Sequence, residues 1–259
     1  MRRKSVSKIN TSNLYIVIPA YNESENIIDV IKQWYPIVEK ISSDSRLVIL
    51  NDGSKDDTFA VANEMTKQLS QLIVIDKPNS GHGATCMYGY HFALQAGADF
   101  VFQTDSDGQT LAGEFWNFWA VKDEYDFIIG SRNNRQDGFS RIIVTKTLKL
   151  VVRLTFGADI QDANTPYRLM RGSRLKEYME VIPKDFFLSN VLLSTLAVKR
   201  GERVKWFKIT FRPRQAGENS LNIKRIIKIG WKAIYDFREF INENRVFINA
   251  SVKKRRGEQ

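Results

Sequence analysis

Phe100-Val101-Phe102-Gln103-Thr104-Asp105-Ser106-Asp107-Gly108-Gln109 is the stretch from which the rest of the chain is read. An apolar run closed by a turn predicts a buried strand over 100–104, and two carboxylates one residue apart stand at its end. Like charges that close repel, and each loses hydration on burial unless a cation or hydrogen-bond donors compensate. A hard divalent ion would compensate, since Mg²⁺ and Mn²⁺ take carboxylate oxygens and keep positions open for water and phosphate. A solvated turn is the plain alternative, because Asp, Ser and Gly dominate turns. The surrounding sequence decides between them.

Upstream, Leu14-Tyr15-Ile16-Val17-Ile18 predicts a buried strand stopped by Pro19, and residues 23–40 have helical spacing through Ile27, Ile28, Ile31, Trp34 and Val38. Leu47-Val48-Ile49-Leu50 is a second strand with Asn51-Asp52-Gly53-Ser54 as its turn. Asp56 or Asp57 then caps a helix carrying Ala60, Val61, Met65 and Leu69. A third strand at 72–75, a helix at 83–95 and a strand at 127–130 complete the alternation. This pattern predicts an α/β protein, a three-layer α/β/α sandwich of Rossmann-like type around a mostly parallel sheet. Such sheets bind ligands outside the carboxyl ends of their strands. The polar clusters fall at those ends: Tyr21-Asn22-Glu23, Asn51-Asp52-Gly53-Ser54, residues 77–83, Asp105-Ser106-Asp107 and Ser131-Arg132. Acidic groups from one loop meeting basic groups from others suit a metal-bound diphosphate. Lys77-Pro78-Asn79-Ser80-Gly81-His82-Gly83 adds glycine N–H groups at a helix start, an anion site in prospect. A dinucleotide fingerprint is not met, because Cys86 stands where a third glycine belongs.

Past Ser131 the pattern loosens. Residues 141–156 read as a basic amphipathic helix, 162–168 as a polar turn entering a short strand, 185–199 as a helix and 204–211 as a strand. A last helix at about 221–241 interleaves Lys224, Arg225, Lys228 and Lys232 with Ile223, Ile226, Ile227, Ile234 and Phe237. It reads either as a core-packed element or as one lying on a membrane surface. The organisation expected is a basic N-terminal arm at 1–12, one large domain at 13–220, the amphipathic helix within 221–250 and a disordered basic tail at 251–259.

Thirty-nine Lys and Arg against 29 Asp and Glu give a net charge of +10, which favours an anionic partner. Specific nucleic-acid binding has only charge in its favour, since no recognition motif is present. Near an anionic membrane, Lys253-Lys254-Arg255-Arg256 would contribute about 1 kcal/mol per basic residue; otherwise they form a solvated tail. No run reaches the roughly 18 apolar residues of a membrane span, and the basic start lacks the apolar segment of a secretory signal. One cysteine, Cys86, forms no internal disulfide and fits a reducing cytoplasm. It reads as a helix-packing residue.

In order, Val17-Ile18-Pro19-Ala20-Tyr21-Asn22-Glu23, Asn51-Asp52-Gly53-Ser54 and Asp105-Ser106-Asp107-Gly108-Gln109 resemble the family 2 glycosyltransferases of the GT-A fold, over about residues 13–220. Asp105-x-Asp107-x-Gln109, Gly130-Ser131-Arg132 and the Arg214…Gly217…Ser220 cluster are most similar to the polyprenyl-phosphate branch, which includes dolichol-phosphate mannose synthases. The resemblance implies a nucleotide-sugar pocket lined by Pro19, Ala20, Tyr21, Asn22, Glu23, Asp52, Gly53, Lys77, Gly81, Asp105 and Ser106. Asp52 would meet the base and Glu23 would lie near the ribose. Asp105 would contact the donor, while Asp107 and Gln109 would hold Mg²⁺ or Mn²⁺ as a Lewis acid for the departing UDP or GDP.

Catalysis would fall to Asp105, Asp162, Arg132 and Arg168. Arg132, Arg141, Arg168 and Arg214 would receive the acceptor phosphate, because guanidinium matches phosphate bidentately. The chain departs from the family pattern in three places. Asn51 stands where many relatives have Asp. Gly217-Glu218-Asn219-Ser220 is one residue longer than the usual Gly-x-Ser-Lys. The Glu-Asp pair that often supplies a base is missing from Asp185-Phe186-Phe187-Leu188-Ser189-Asn190. Asp185 would act as a base or as a helix N-cap, and Asp162 as an acceptor-orienting group, an arginine partner or an Asx-turn. A phosphate acceptor needs no base, since its second proton leaves near pH 6.

The expectation is an inverting, metal-dependent transfer from a nucleoside-diphosphate sugar to a polyprenyl phosphate, with the protein peripheral at the cytoplasmic membrane face. A hydroxyl of a lipid-linked or capsular cell-surface glycan is the alternative acceptor, with Asp162 or Asp185 as its base. A non-catalytic nucleotide-sugar-binding protein is a third class, against which the intact Asp105, Asp107 and Gln109 argue.

Overall fold

The computed structural model describes residues 12–132, 139–162, 164–212 and 223–250, excepting the side chains of 139–145 and 223–229. In chain order the elements are β1 (Leu14–Ala20), α1 (Ile27–Ile41), β2 (Arg46–Asp52), α2 (Thr58–Met65), β3 (Leu72–Lys77), α3 (His82–Gln95) and β4 (Phe100–Thr104). A 3₁₀ turn (Ala112–Glu114) leads into α4 (Phe115–Trp119), β5 (Phe127–Arg132), α5 (Phe139–Phe156), β6 (Tyr167–Arg171) and α6 (Gly172–Met179). The chain continues through α7 (Ser189–Lys199), β7 (Val204–Ile209), α8 (Ile223–Glu243) and α9 (Arg245–Asn249).

Every residue of β1 is buried, as a central parallel strand covered on both faces must be. Its alternate side chains go opposite ways. Leu14, Ile16 and Ile18 join α1 and the aromatic rings of α4 in one apolar core. Tyr15 and Val17 join α3, α6 and α7 in the other. Each such aliphatic side chain stabilises the fold by about 1.5–3 kcal/mol on burial. On the first face, Trp34 lies 5.2 Å from Phe102 and 5.9 Å from Tyr167, ring centre to ring centre. On the second, a Cβ at Gly89 would come within 2.2 Å of Val17 Cγ1. The backbone of α3 therefore rests directly on β1, and any larger residue would lift the helix.

The seven strands run in the order β3-β2-β1-β4-β6-β5-β7. β1 pairs in parallel with β2 and β4, β2 with β3, and β5 with β7. β6 lies antiparallel between β4 and β5. The expected mostly parallel α/β/α sandwich is thus present, with one reversed strand inserted. Chain order reverses at β1, so β2 and β4 flank it and a crevice opens between the loops that follow β1 and β4.

Two predicted helix starts move. The first helix begins at Ile27, because the Glu23 carbonyl accepts from Asn26 and Ile27 N–H in a turn. The helix expected from Asp185 begins at Ser189, so Asp185 is not its N-cap. Asp56 does close α2: its Oδ1 accepts the Thr58 N–H at 3.1 Å. At the C-terminal side, the guanidinium of fully buried Arg200 lies 3.7 Å from the Phe247 ring and 5.2 Å from Tyr178. That cation–π sandwich fixes α9 to the body of the domain.

Candidate active site

The loops after β1, β2, β3 and β4 enclose a cleft of about 440 Å³ lined by Pro19, Ala20, Tyr21, Glu23, Asp52, Asn79, Gly81, His82, Thr85, Asp105, Ser106 and Asp107. Each wall has a local cause. Asn22 adopts φ +54, a conformation Asn tolerates better than most residues. Its N–H donates to Ser54 Oγ at 3.0 Å, and its Oδ1 accepts the Lys55 N–H at 2.8 Å. The loop after β1 is thereby tied to the loop after β2. Gly53, at φ +62, lets that second loop pass under Asn79, whose N would stand 2.8 Å from a Cβ there.

Asp52 organises the third wall. Its Oδ1 accepts from Ser80 N–H at 2.8 Å and from Lys77 Nζ, and its Oδ2 accepts from Gly81 N–H at 2.9 Å. Burial alone would raise the Asp52 pKa, but hydrogen bonds from Lys77, Ser80 and Thr85 hold it below the usual carboxylate value. Two expectations change as a result. The Gly81 amide, one of the glycine N–H groups predicted as an anion site, already serves a carboxylate of the chain itself, together with that of Ser80. Lys77 does not line the cleft, because Asp52, Pro78 O, Ser80 Oγ and Thr85 Oγ1 surround its ammonium. Asn51, where many relatives carry Asp, donates to Asp76 Oδ1 at 2.6 Å; an aspartate there would face a second carboxylate.

The fourth wall holds the paired aspartates. Asp105 Oδ1 lies 3.0 Å from Gln103 Nε2 and 2.8 Å from His82 Nε2. The Cys86 sulfur, 3.8 Å from Nδ1, and then the Asp105 carboxylate raise the His82 pKa well above the imidazole norm, against desolvation. The side chain is half exposed, so water screens the effect. Asp107 Oδ1 accepts the Gln109 N–H at 3.1 Å. Gln109 is buried outside the cleft lining, its Nε2 donating to Arg212 O at 2.7 Å, and only its Oε1 remains to approach a cation. Among the described residues no three His, Cys, Asp or Glu side chains gather as a complete metal cage. Two hard carboxylates in an open cleft fit a Mg²⁺ or Mn²⁺ ion that takes its remaining ligands from water and a diphosphate.

Arg132, Asp162 and Arg168, expected on the acceptor side, are not among the residues lining this cleft. Arg132 is bound bidentately by Asp162, Nε to Oδ2 at 2.8 Å and Nη2 to Oδ1 at 2.9 Å, and its guanidinium lies 5.2 Å from the Phe211 ring. Asp162 thus serves as an arginine partner, and a carboxylate so engaged is a poor base. Arg168 is 1% exposed and donates to Asn190 O, Ser194 Oγ and Thr165 O. It braces the interior and does not reach an open surface. The Arg141 side chain and all of Arg214 lie outside the described residues. Cys86 is buried in α3, as expected of a packing residue. Asn79 and His82, reached in the sequence only as part of a loop, and Thr85, reached only as part of a helix, also line the cleft, because their side-chain directions follow from how α3 docks on β1 and β2.

A mostly parallel α/β sheet with an acidic cleft at its topological switch defines the nucleotide-binding class of three-layer folds. The chain belongs to the glycosyl transferase family 2, whose model matches residues 15–179. It is 25% identical over 220 residues to undecaprenyl-phosphate 4-deoxy-4-formamido-L-arabinose transferase from Enterobacter sp. (strain 638), covering 83% of this chain and 64% of that protein. The chain therefore spans under two thirds of that relative's length. It is also 25% identical over 221 residues to polyprenol monophosphomannose synthase from Mycolicibacterium smegmatis, covering 82% of each. Among solved structures, glucosyl-3-phosphoglycerate synthase from Mycobacterium tuberculosis in complex with Mn²⁺ and uridine-diphosphate-glucose matches with a TM-score of 0.62. Identity there is 17%, over 88% of this chain and 79% of that one. The shared GT-A architecture is what this likeness establishes.

Proposed function

We propose that this protein is an inverting, metal-dependent glycosyltransferase that moves a sugar from a UDP- or GDP-sugar to a polyprenyl phosphate at the cytoplasmic face of a membrane. The observation that carries this reading is the cleft at the β1/β4 switch, where Asp105 and Asp107 face the walls built on Asp52 and Tyr21. Tyr21, Glu23 and Asp52 would seat the nucleoside and Asp105 would orient the sugar. Asp107, with Gln109 Oε1 behind it, would hold Mg²⁺ or Mn²⁺, which neutralises the departing diphosphate. The names of the two curated relatives, which carry undecaprenyl phosphate and a polyprenol monophosphate product, support a lipid-phosphate acceptor. So does the pairing of Asp162 with Arg132, which makes that carboxylate a poor base. A phosphate nucleophile is charged already and needs none.

Among the described residues no helix is long and apolar enough to cross a membrane. Leu150 and Leu154 on α5 and Trp231 and Tyr235 on α8 are exposed, with Lys146, Arg153 and Arg238 exposed on the same helices. Apolar and aromatic side chains among basic ones suit an anionic lipid surface. The deciding experiment screens nucleoside-diphosphate release from UDP- and GDP-sugars with Mn²⁺ or Mg²⁺, with and without undecaprenyl phosphate in anionic vesicles. Release that depends on the lipid is expected. Equal release with a soluble glycan acceptor in its place would overturn the acceptor assignment.

A further inference from the structure

Asp105 ends a chain of hydrogen bonds that begins in the core. Tyr90 of α3 donates its hydroxyl to Asn190 Oδ1 at 2.8 Å. Asn190 of α7 donates Nδ2 to Gln103 Oε1 at 3.1 Å, and Gln103 of β4 donates Nε2 to Asp105 Oδ1 at 3.0 Å. Tyr90 and Gln103 are fully buried and Asn190 nearly so. The chain has a direction. A phenol is the only hydroxyl donor at its inner end, and burial pushes the Tyr90 pKa well up, so the hydroxyl keeps its proton. A donated proton at Asn190 Oδ1 turns the amide so that its nitrogen faces Gln103. Gln103 must then accept with oxygen and present nitrogen to the carboxylate. The Asn190 carbonyl is itself held by Arg168 Nη1 at 3.1 Å and Ser194 Oγ at 2.9 Å, so the residue at the middle of the chain cannot drift. Oδ1 of Asp105 thus lies between the Gln103 amide from the core and His82 Nε2. Among the described residues, Oδ2 accepts no hydrogen bond and is the oxygen left for a ligand.

We infer that Tyr90, Asn190 and Gln103 are positioning residues that fix the rotamer of Asp105, so that a carboxylate oxygen is held ready for the donor sugar before the donor arrives. The inference rests on the reading of Asp105 as a donor-contacting group. It accounts for a Gln inside an otherwise apolar strand and for an Asn at the start of α7. Buried amides are costly unless every partner is in place, and here the partners end on Asp105, a carboxylate that lines the cleft. Preorganisation of this kind acts on the transition state more than on ground-state binding.

The test is a double-mutant cycle between Asn190→Asp and Gln103→Met, with Tyr90→Phe as a milder third variant that removes one hydroxyl. Nucleoside-diphosphate release is read with the donor found by the screen, and crystal structures of the variants are read without ligand. In Asn190→Asp the Gln103 amide must turn its nitrogen inward, which presents its oxygen to Asp105. Roughly tenfold or greater loss of kcat with little change in donor KM is expected for each single substitution. The double variant should lose no more than the worse single one, since Asn190 acts only through Gln103. Asp105 should leave its parent rotamer in both structures. Additive losses, or an Asp105 that keeps its position in both, would overturn the inference. Should Asn190→Asp fail to fold, Tyr90→Phe and Gln103→Met form the same cycle. Asp105→Asn separates the two levels of the argument. If it keeps full turnover, the donor-contact reading fails; if it loses turnover while the relay variants do not, only the relay fails.

Discussion

The two halves of the sheet handle charge in opposite ways. At the carboxyl ends of β1 to β4, acidic side chains reach a cleft of about 440 Å³, and backbone amides and buried donors hold them in place from behind. Across β6, β5 and β7 several arginines are taken up by partners within the chain. Arg168 is bonded to carbonyls and Ser194, Arg132 to Asp162, and Arg203 to Asp126 at 2.8 Å. The first half is organised to receive a ligand. The second is organised to stay rigid, and basic residues counted as anion receptors in a sequence become internal braces in the fold. A guanidinium has five donors, enough to satisfy several carbonyls at once, which makes Arg a natural internal brace wherever a sheet changes direction.

Substitutions can break that contrast in order of size. Asp107→Ala removes the cleft carboxylate that would hold the metal. Its expected consequence is a loss of turnover of roughly 10³-fold, about 4 kcal/mol of transition-state stabilisation, with thermal unfolding unchanged. Full metal-dependent turnover in this variant would end the enzyme reading of the cleft. Lys77→Met instead strips the ammonium from a buried carboxylate, and should lower unfolding free energy by about 3 kcal/mol, the lower end for a buried pair losing one partner. Its pH dependence has a definite sign. The depressed Asp52 carboxyl contributes stability above its unfolded pKa of about 4, which is lost as pH falls through its folded value. Urea titrations should therefore find the gap between parent and Lys77→Met at neutral pH, closing below pH about 4.

The smaller expected effects separate the halves most sharply. Arg168→Met leaves the Thr165 and Asn190 carbonyls short of donors and should cost about 1–3 kcal/mol of stability. Its KM for undecaprenyl phosphate should stay that of the parent, because the guanidinium is enclosed. A large rise in that KM would return Arg168 to the acceptor site. Leu154→Glu combined with Trp231→Glu should fold as the parent does, within about 0.5 kcal/mol for exposed positions, yet pellet less with anionic vesicles. Unchanged pelleting would remove these helices from the membrane contact.

Much of the donor half was legible because each strand from β1 to β4 is a continuous apolar run, and its catalytic loop follows within a few residues. Local spacing alone put Tyr21, Asp52 and Asp105 at strand ends. The acceptor half resisted the same reading. β6 follows an irregular segment and pairs antiparallel between β4 and β5, a placement that no periodicity in its own five residues encodes. α6 has mostly polar residues on its exposed face, and α4 is one aromatic turn, so neither carries a period long enough to read.

What the sequence determined by itself is the alternation of strands and helices from β1 to β4, the edge of the sheet at which polar loops gather, and the pair Asp105 and Asp107 there. These depend on the spacing of neighbours along the chain. What only the tertiary structure decided is which charges face the cleft and which are consumed inside the fold. Lys77 was taken by Asp52, Arg132 by Asp162, and Arg168 by carbonyls from α7 and the 165 turn. Asp105 itself is held by an amide chain from α3 and α7. Apart from the local Arg168–Thr165 and Gln103–Asp105 steps, these pairings join residues 22 to 100 positions apart, and desolvation makes each charge take the nearest partner that packing brings to it.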